Sequence, residues 1–366
     1  MWTVKRRLKS ILLSTPGFQR LCRLLTRKHV RVIMYHRFVF EHDVDPRFLD
    51  LASLRRQMYY ITRHHVTWTP DIQLAALQGK RWPGGSCPVI ITVDDGYHDF
   101  FEIAYPVLKE FKVPAMLFVV TGFVDGQIWF WWDRLEYILN RTSSTILEFT
   151  LTGQARTIDL STYSLRRVAW HILADCLCLI PNTDKESALE DLAKRLAVEV
   201  PSTPPKRYRS VTWDQIRIME ESGLLIGCHT VTHPILSRID QKQAYTEIAS
   251  ARDRLLKQTT VKANWFCYPQ GGPADFTPEI KQIVQELGFE GAYIAFQSQY
   301  WSQDRFTLPR YSAPRDDTEF QWMLCGAAHL IMGFRRILAF KSEFGKTDEG
   351  RLPSFTTLNV TVGPIK

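Results

Sequence analysis

The sequence predicts an α/β fold, a barrel of parallel βαβ units interrupted by a mainly helical insertion. Three observations predict it. Short apolar, β-branched runs alternate with amphipathic stretches of helical length, which is the pattern of parallel strands joined by crossover helices. Two of the apolar runs end abruptly in clusters of acids or histidines, as strands do at the edge where α/β enzymes build their sites. A chain of 366 residues can bury one large barrel core and still carry an inserted segment.

The elements follow in order. Residues 1–30 form a basic N-terminal segment with Lys5, Arg6, Arg7, Lys9, Arg20, Arg23, Arg27 and Lys28. Its apolar stretches are too short for the core of a signal peptide. Ile11, Leu12, Phe18, Leu21, Leu24 and Leu25 can line one side of helical segments broken at Pro16-Gly17. That predicts either a membrane-surface helix or a helix packed on the barrel. The barrel is expected over 31–128 and 210–334. Strands are predicted at 32–35, 89–93 and 115–120, with helices at 48–62 and 100–111, Pro106 falling in a first turn where it is tolerated.

The rhythm breaks at 129–209. An aromatic entry, Trp129-Phe130-Trp131-Trp132, is followed by polar and helical patterns and a proline-rich exit at Pro201, Pro204 and Pro205. We read this as helices and a hairpin placed on the barrel rim. The tryptophans suit the core of the inserted helices, or stacking on sugar rings. The strand–helix alternation then resumes, with strands at 224–228, 265–268 and 291–295 and helices at 213–222, 242–257 and 278–287. Residues 335–366 show weak patterning and read as a C-terminal tail.

Composition narrows the function. At 45% hydrophobic and 23% charged the chain is ordinary for a globular protein. The net charge of +8 contains no block of five like charges, and no zinc-finger spacing is present. A solvated basic surface is therefore expected, with no nucleic-acid partner. Such a surface also suits an anionic glycan or a membrane face. Seven cysteines at irregular spacing point to free thiols in a reducing compartment. No apolar run reaches the roughly 18 residues of a membrane span. The expected location is cytoplasmic, with membrane association at the inner face open.

Two clusters carry chemistry. Ile90-Ile91-Thr92-Val93 runs into Asp94-Asp95-Gly96-Tyr97, and Leu224-Leu225-Ile226 runs into Gly227-Cys228-His229-Thr230-Val231-Thr232-His233. Alone, the first could be a plain turn and the second a chance pair on one helical turn. Together, two histidines and a carboxylate make three N/O ligands, the usual count for a catalytic zinc with one open position. The other carboxylate is left free to act as a base.

These residues resemble a known family. Thr92-Val93-Asp94-Asp95-Gly96 is similar to the Thr-Phe-Asp-Asp-Gly motif of polysaccharide deacetylases, the carbohydrate esterase family 4 or NodB-homology group. His229-Thr230-Val231-Thr232-His233 resembles its His-Ser/Thr-x-x-His motif, and Tyr268-Pro269-Gln270-Gly271 its Arg-x-Pro-x-Gly motif. The resemblance implies a deformed (β/α) barrel with Asp94 as general base. It implies Asp95, His229 and His233 as ligands of a divalent metal, zinc first, with cobalt or another ion open. The metal would acidify a bound water for Asp94 to deprotonate, and the Tyr97 N–H would help hold the oxyanion. Tyr268 and Pro269 would line the substrate site, although Tyr268 also reads as a core aromatic.

Two departures matter. No Leu-x-His-Asp motif follows His233, and His329, the only later histidine, reads as part of a helix face. Tyr35-His36, at the end of the first strand, resembles the early Tyr-His motif of the permuted poly-N-acetylglucosamine deacetylase branch. His36 is thus the expected general acid, against a reading as a strand-capping histidine. The family's third-motif arginine aligns with Cys267, so its task of orienting the base must pass elsewhere. Arg310, after another short strand-like segment, is the candidate, against an ordinary surface arginine.

The expected activity is metal-dependent N-deacetylation of an N-acetylated sugar in a polysaccharide, oligosaccharide or lipid-linked glycan precursor. A metal-dependent amidase on a non-sugar C–N bond and a non-catalytic glycan-binding relative are the alternatives. The sequence sets no oligomeric state.

Overall fold

The computed structural model describes residues 2–40, 45, 47–79, 87–151, 154–260, 262–296 and 304–333. The chain opens with α1 (Trp2–Ser14) and α2 (Phe18–Leu25), separated at Gly17. It enters β1 (Arg31–Tyr35), then a small parallel pair, β2 (Phe38–Val39) with β3 (Leu49–Asp50), followed by α3 (Leu51–His64) and α4 (Pro70–Leu77). The helix expected over 48–62 starts only at Leu51 because residues 49–50 are used as strand. Asp50 then caps the helix by accepting the Ser53 N–H at 2.8 Å.

Next come β4 (Val89–Val93), a π-helical turn over 100–104, α5 (Tyr105–Phe111), β5 (Ala115–Val119) and α6 (Thr121–Val124). Pro106 stands in the first turn of α5 and has no N–H to give the carbonyl four residues back, and the turn ahead of it is widened. The stretch that follows holds α7 (Trp131–Arg141), a hairpin of β6 (Ile146–Leu151) and β7 (Gln154–Asp159), α8 (Tyr163–Leu179) and α9 (Asn182–Arg195). These elements pack around a core of their own, including Leu135, Ile138, Leu147, Leu173 and Leu189. The chain then runs through α10 (Trp213–Glu221), β8 (Leu225–Cys228), α11 (Gln241–Gln258), β9 (Trp265–Cys267), α12 (Pro278–Glu286), β10 (Gly291–Tyr293), β11 (Tyr311–Ser312) and α13 (Asp317–Leu324).

Seven strands form one parallel sheet in the order β10-β9-β8-β5-β4-β1-β11. Alternation along each strand divides the core. Ile33, Ile91, Val93, Leu117 and Phe266 face the helix layer with Leu54, Val107 and Ile248. Val32, Ile90, Met116, Phe118, Trp265, Cys267 and Tyr293 face the other way. Phe118 of β5 meets Tyr293 of β10 at 5.9 Å between centroids, although two strands lie between them, so the sheet is curled. Residues 305–312 close the curl. Leu308 exchanges backbone hydrogen bonds with Ala292 and Ile294, and Tyr311 pairs with Ile33 of β1. The result is the deformed barrel of parallel βα units. No helix among the described residues is long and apolar enough to cross a membrane. Residues 335–366, expected as a tail, lie outside the described residues.

Candidate active site

The acids and histidines of the motifs lie beyond the C-terminal ends of strands. Asp94 follows β4 directly, and its N–H donates to the Tyr35 carbonyl at 3.0 Å, tying it to the end of β1. Asp95 and Gly96 both adopt left-handed backbone, with φ of 74° and 87°. Glycine is required at the second position for space as well, since a Cβ there would come within 3.2 Å of Val119 Cγ1. The turn sends the two adjacent carboxyl groups into different surroundings.

The histidine motif is a loop rather than the helical turn its spacing suggested. Thr230 and His233 have φ of 69° and 60°, which no helix tolerates. Glu247 of α11 fastens this loop by accepting the N–H groups of Val231 and Thr232 and the Thr232 hydroxyl, at 2.9, 2.8 and 2.6 Å. The Thr230 hydroxyl accepts the His233 N–H at 3.0 Å. Both imidazoles consequently converge on Asp95, each with Nε2 3.7 Å from Asp95 Oδ1.

This donor set fits a divalent cation. Three ligands at zinc-like distances stand about 3.3 Å apart in a tetrahedron, which small side-chain movements reach from 3.7 Å. His229 Nδ1 lies 2.7 Å from the Cys267 carbonyl, so it carries the proton and leaves Nε2 as a lone pair. Burial lowers the pKa of His229 to about 4 and that of His233 well below its ordinary value, so both are neutral and ligand-ready. Burial raises the Asp95 carboxyl well above its usual range, and Asp94 and Asp133 add to the effect. Asp95 stands among like charges, an arrangement that a cation relieves. Asp94, His229 and Cys267 also lie within ligand reach of one another. That second set fits less well, because Asp94 already spends both oxygens on a guanidinium.

The guanidinium belongs to Arg310. Nη1 and Nη2 donate to the two Asp94 oxygens at 2.7 Å each, Nη1 also reaches Thr92 Oγ1 at 3.1 Å, and Nε donates to the Ile294 carbonyl at 3.2 Å. Arg310 is therefore no surface arginine; it is buried to 1% exposure. Cys267 Sγ lies 2.9 Å from Nη2. The residue at the family's arginine position thus touches the arginine that β11 brings in from the other side. Burial alone would raise the Asp94 pKa, but Arg310 more than offsets it and holds the carboxylate ionised.

His36 sits at the rim, half-exposed, with Nε2 3.8 Å from Asp94 Oδ2. Partial desolvation keeps its pKa below the ordinary value, with Asp94 pulling the other way. The Tyr97 N–H, at the start of the following helical turn, has no hydrogen-bond acceptor among the described residues. His329 stacks on His29 at 4.1 Å, in the layer formed with the N-terminal segment, and takes no part in the site.

Tyr268 is a correction. Expected to line the substrate site, it is buried, with its ring stacked on Phe276 at 4.2 Å and edge-on to Phe266. Strand alternation is the reason: Cys267 faces the site, so Tyr268 faces the helix layer. Pro269 is buried at the tip of the same segment.

Sequence reasoning missed a second polar layer beneath the first. The Tyr97 hydroxyl donates to Asp133 Oδ2 at 2.7 Å and accepts from Trp132 Nε1 at 2.9 Å. Arg37 lies over the Tyr97 ring at 3.8 Å and pairs with Asp99 at 2.6 Å. Burial pushes the Asp133 carboxyl up to about 7, with Arg37 opposing. Trp132 and Phe130 also pack edge-on against His233. The aromatic run therefore divides. Phe130 and Trp132 buttress the motif turn and His233, while Trp131 joins the core of α7–α9. The one signal available was Asp133 following the tryptophans, and nothing local linked it to Tyr97.

The family model for polysaccharide deacetylase matches residues 83–172 and 178–292. The chain belongs to the polysaccharide deacetylase family. The match takes in both motif clusters and more than half of the chain, while His36 and Arg310 lie outside it. Solved structures share the fold. The Streptococcus pyogenes deacetylase PplD superposes with a TM-score of 0.53 at 16% identity, over 81% of this chain and 97% of that one. IcaB from Ammonifex degensii gives 0.52 at 18% identity, over 81% and 97%. A de-N-acetylase from Aggregatibacter actinomycetemcomitans gives 0.50 at 15% identity, over 78% and 95%. No curated protein sequence matches the chain. Membership places the chain among enzymes acting on acetylated carbohydrate.

Proposed function

We propose that this polysaccharide deacetylase-family protein is a metal-dependent N-deacetylase. Its substrate would be an N-acetylated sugar in a polysaccharide, oligosaccharide or lipid-linked glycan precursor. The observation that carries the reading is the division of two adjacent carboxylates. Asp94 is held ionised by Arg310, and Asp95 faces two neutral imidazoles.

Asp95, His229 and His233 would hold the divalent ion, with zinc the first choice from the donor types. When bound, the ion supplies polarisation of the amide carbonyl and acidification of water. Asp94 acts as general base and takes the proton from the attacking water. Arg310 fixes the direction of the Asp94 oxygens and keeps the group deprotonated between turnovers. The Tyr97 N–H, which has no acceptor among the described residues, donates to the oxyanion that forms as water adds to the carbonyl. His36 starts neutral beside Asp94, takes over the collected proton and delivers it to the departing amine nitrogen. The exposure of His36 suits that task, since the leaving sugar must approach from solvent.

The test is acetate release from a panel of N-acetylated sugars, with cyclic and linear amides alongside, using zinc-loaded wild type and Asp94→Asn. Release from sugars by wild type alone supports the reading. Release from non-sugar amides alone would replace it with an amidase, and glycan binding without turnover in any metal would replace it with a binding protein.

A further inference from the structure

We propose that α1 and α2 form a docking surface for an anionic lipid membrane. Both helices are attached to the barrel by one face only. On α1, Arg6 pairs with Asp316 at 2.7 Å, Lys9 with Glu319 at 2.6 Å, and Leu13 is buried beside Trp322. On α2, Phe18 stacks on Trp322 at 5.8 Å, Gln19 accepts the Tyr60 hydroxyl at 2.7 Å, and Cys22 is buried.

The remaining surface of each helix carries large apolar side chains among its basic ones. Val4, Leu8 and Ile11 recur at helical spacing along α1, and Leu21, Leu24 and Leu25 along α2. All six side chains are more than half exposed. Large apolar residues at that spacing, left open on helices whose other faces are packed, mark a surface that meets something apolar.

Charge decides what that is. Lys5, Arg7 and Arg20 are exposed along the same helices, Arg27 and Lys28 are exposed just after α2, and none of the five makes an ion pair among the described residues. No Asp or Glu occurs before Glu41. Apolar stripes interleaved with basic side chains, and no acid at all, fit the interface of a bilayer carrying anionic headgroups. A second copy of the chain would bring these same unpaired positive charges against one another. α1 runs alongside α13 with its first half at Asp316, just beyond the C-terminal end of β11. α2 ends at the opposite edge of the sheet, where Arg31 at the start of β1 bonds to Thr26, so the two helices lie along the side of the barrel.

The experiment is co-sedimentation of the full chain with phosphatidylcholine vesicles, with and without phosphatidylglycerol. Wild type is expected to sediment with the anionic vesicles, less so as salt is raised. Leu8→Ser/Ile11→Ser/Leu24→Ser is expected to weaken partitioning about tenfold or more, with an unchanged thermal midpoint and unchanged turnover of a soluble substrate. Lys5→Gln/Arg7→Gln/Lys28→Gln should remove the preference for the anionic lipid. Failure of wild type to bind either vesicle overturns the proposal, as does equal binding by the serine variant. A dimer that the serine variant dissociates, with no vesicle binding by wild type, would assign the surface to a second copy instead.

Discussion

Replacing Arg310 by methionine tests the arrangement on which the proposed chemistry rests. Methionine keeps the length of the side chain and leaves Asp94 buried without a partner. The two bonds to Asp94, the contact to Thr92 and the bond to the Ile294 carbonyl are lost together. Breaking one side of a buried ion pair costs about 3–5 kcal/mol, against a whole-protein stability on the order of 5–15 kcal/mol. The carboxyl can escape part of that cost by taking a proton, and this fixes the pH dependence. In wild type the folded-state pKa of Asp94 is depressed, because Arg310 outweighs burial. Its contribution to stability is therefore present above the ordinary carboxylate range and lost as pH falls.

In Arg310→Met burial is opposed only by His229 and His36, which are neutral near pH 7, so the folded pKa is raised and the sign reverses: stability falls as pH rises. The stability gap between the two proteins should widen between about pH 5 and pH 7.5. Urea unfolding of metal-free wild type and variant at both pH values measures it. Turnover should drop about a hundredfold or more, since a protonated or misdirected base does not catalyse. A stability loss below about 1 kcal/mol with turnover intact would refute the reasoning. Cys267→Arg added to Arg310→Met should restore part of the turnover, because Cys267 Sγ already lies against the Arg310 guanidinium and 3.6 Å from Asp94.

Further outcomes are expected. Asp94→Asn should keep its metal and lose turnover by about 10²–10⁴-fold, while His229→Ala should lose the metal, as read by metal analysis of the purified proteins; equal metal loss in both would end the division between base and ligand. Asp133, whose carboxyl is pushed up to about 7, holds in the folded state a proton that the unfolded chain releases. Its contribution is present at low pH and lost as pH rises through about 7. Asp133→Asn should therefore gain stability relative to wild type between about pH 5 and pH 8, and parallel melting curves across that range would contradict this. Gly227→Ala places a Cβ 2.4 Å from the Phe118 ring inside the curled sheet; a loss of about 1–3 kcal/mol is expected by denaturant titration.

The sequence by itself determined whatever depends on neighbours along the chain. Strand and helix periodicity marked the barrel units, and an apolar run stopping at Asp94-Asp95-Gly96 marked the edge where the site lies, because both are local patterns of burial and turn chemistry. It also determined that a replacement for the third-motif arginine was needed, since Cys267 cannot carry a charge pair, and Arg310 stood out by its place after a strand-like run. Tertiary structure decided the rest. Strand parity turned Tyr268 into the helix layer once Cys267 faced inward. Left-handed residues at Thr230 and His233, held by Glu247 from a separate helix, brought two histidines onto Asp95 without any helical turn. The support of Tyr97 by Asp133 exists only because α7 docks beside the motif turn. Such contacts join residues far apart in the chain, and no periodicity encodes them; they follow from which surfaces the folded barrel leaves to be covered.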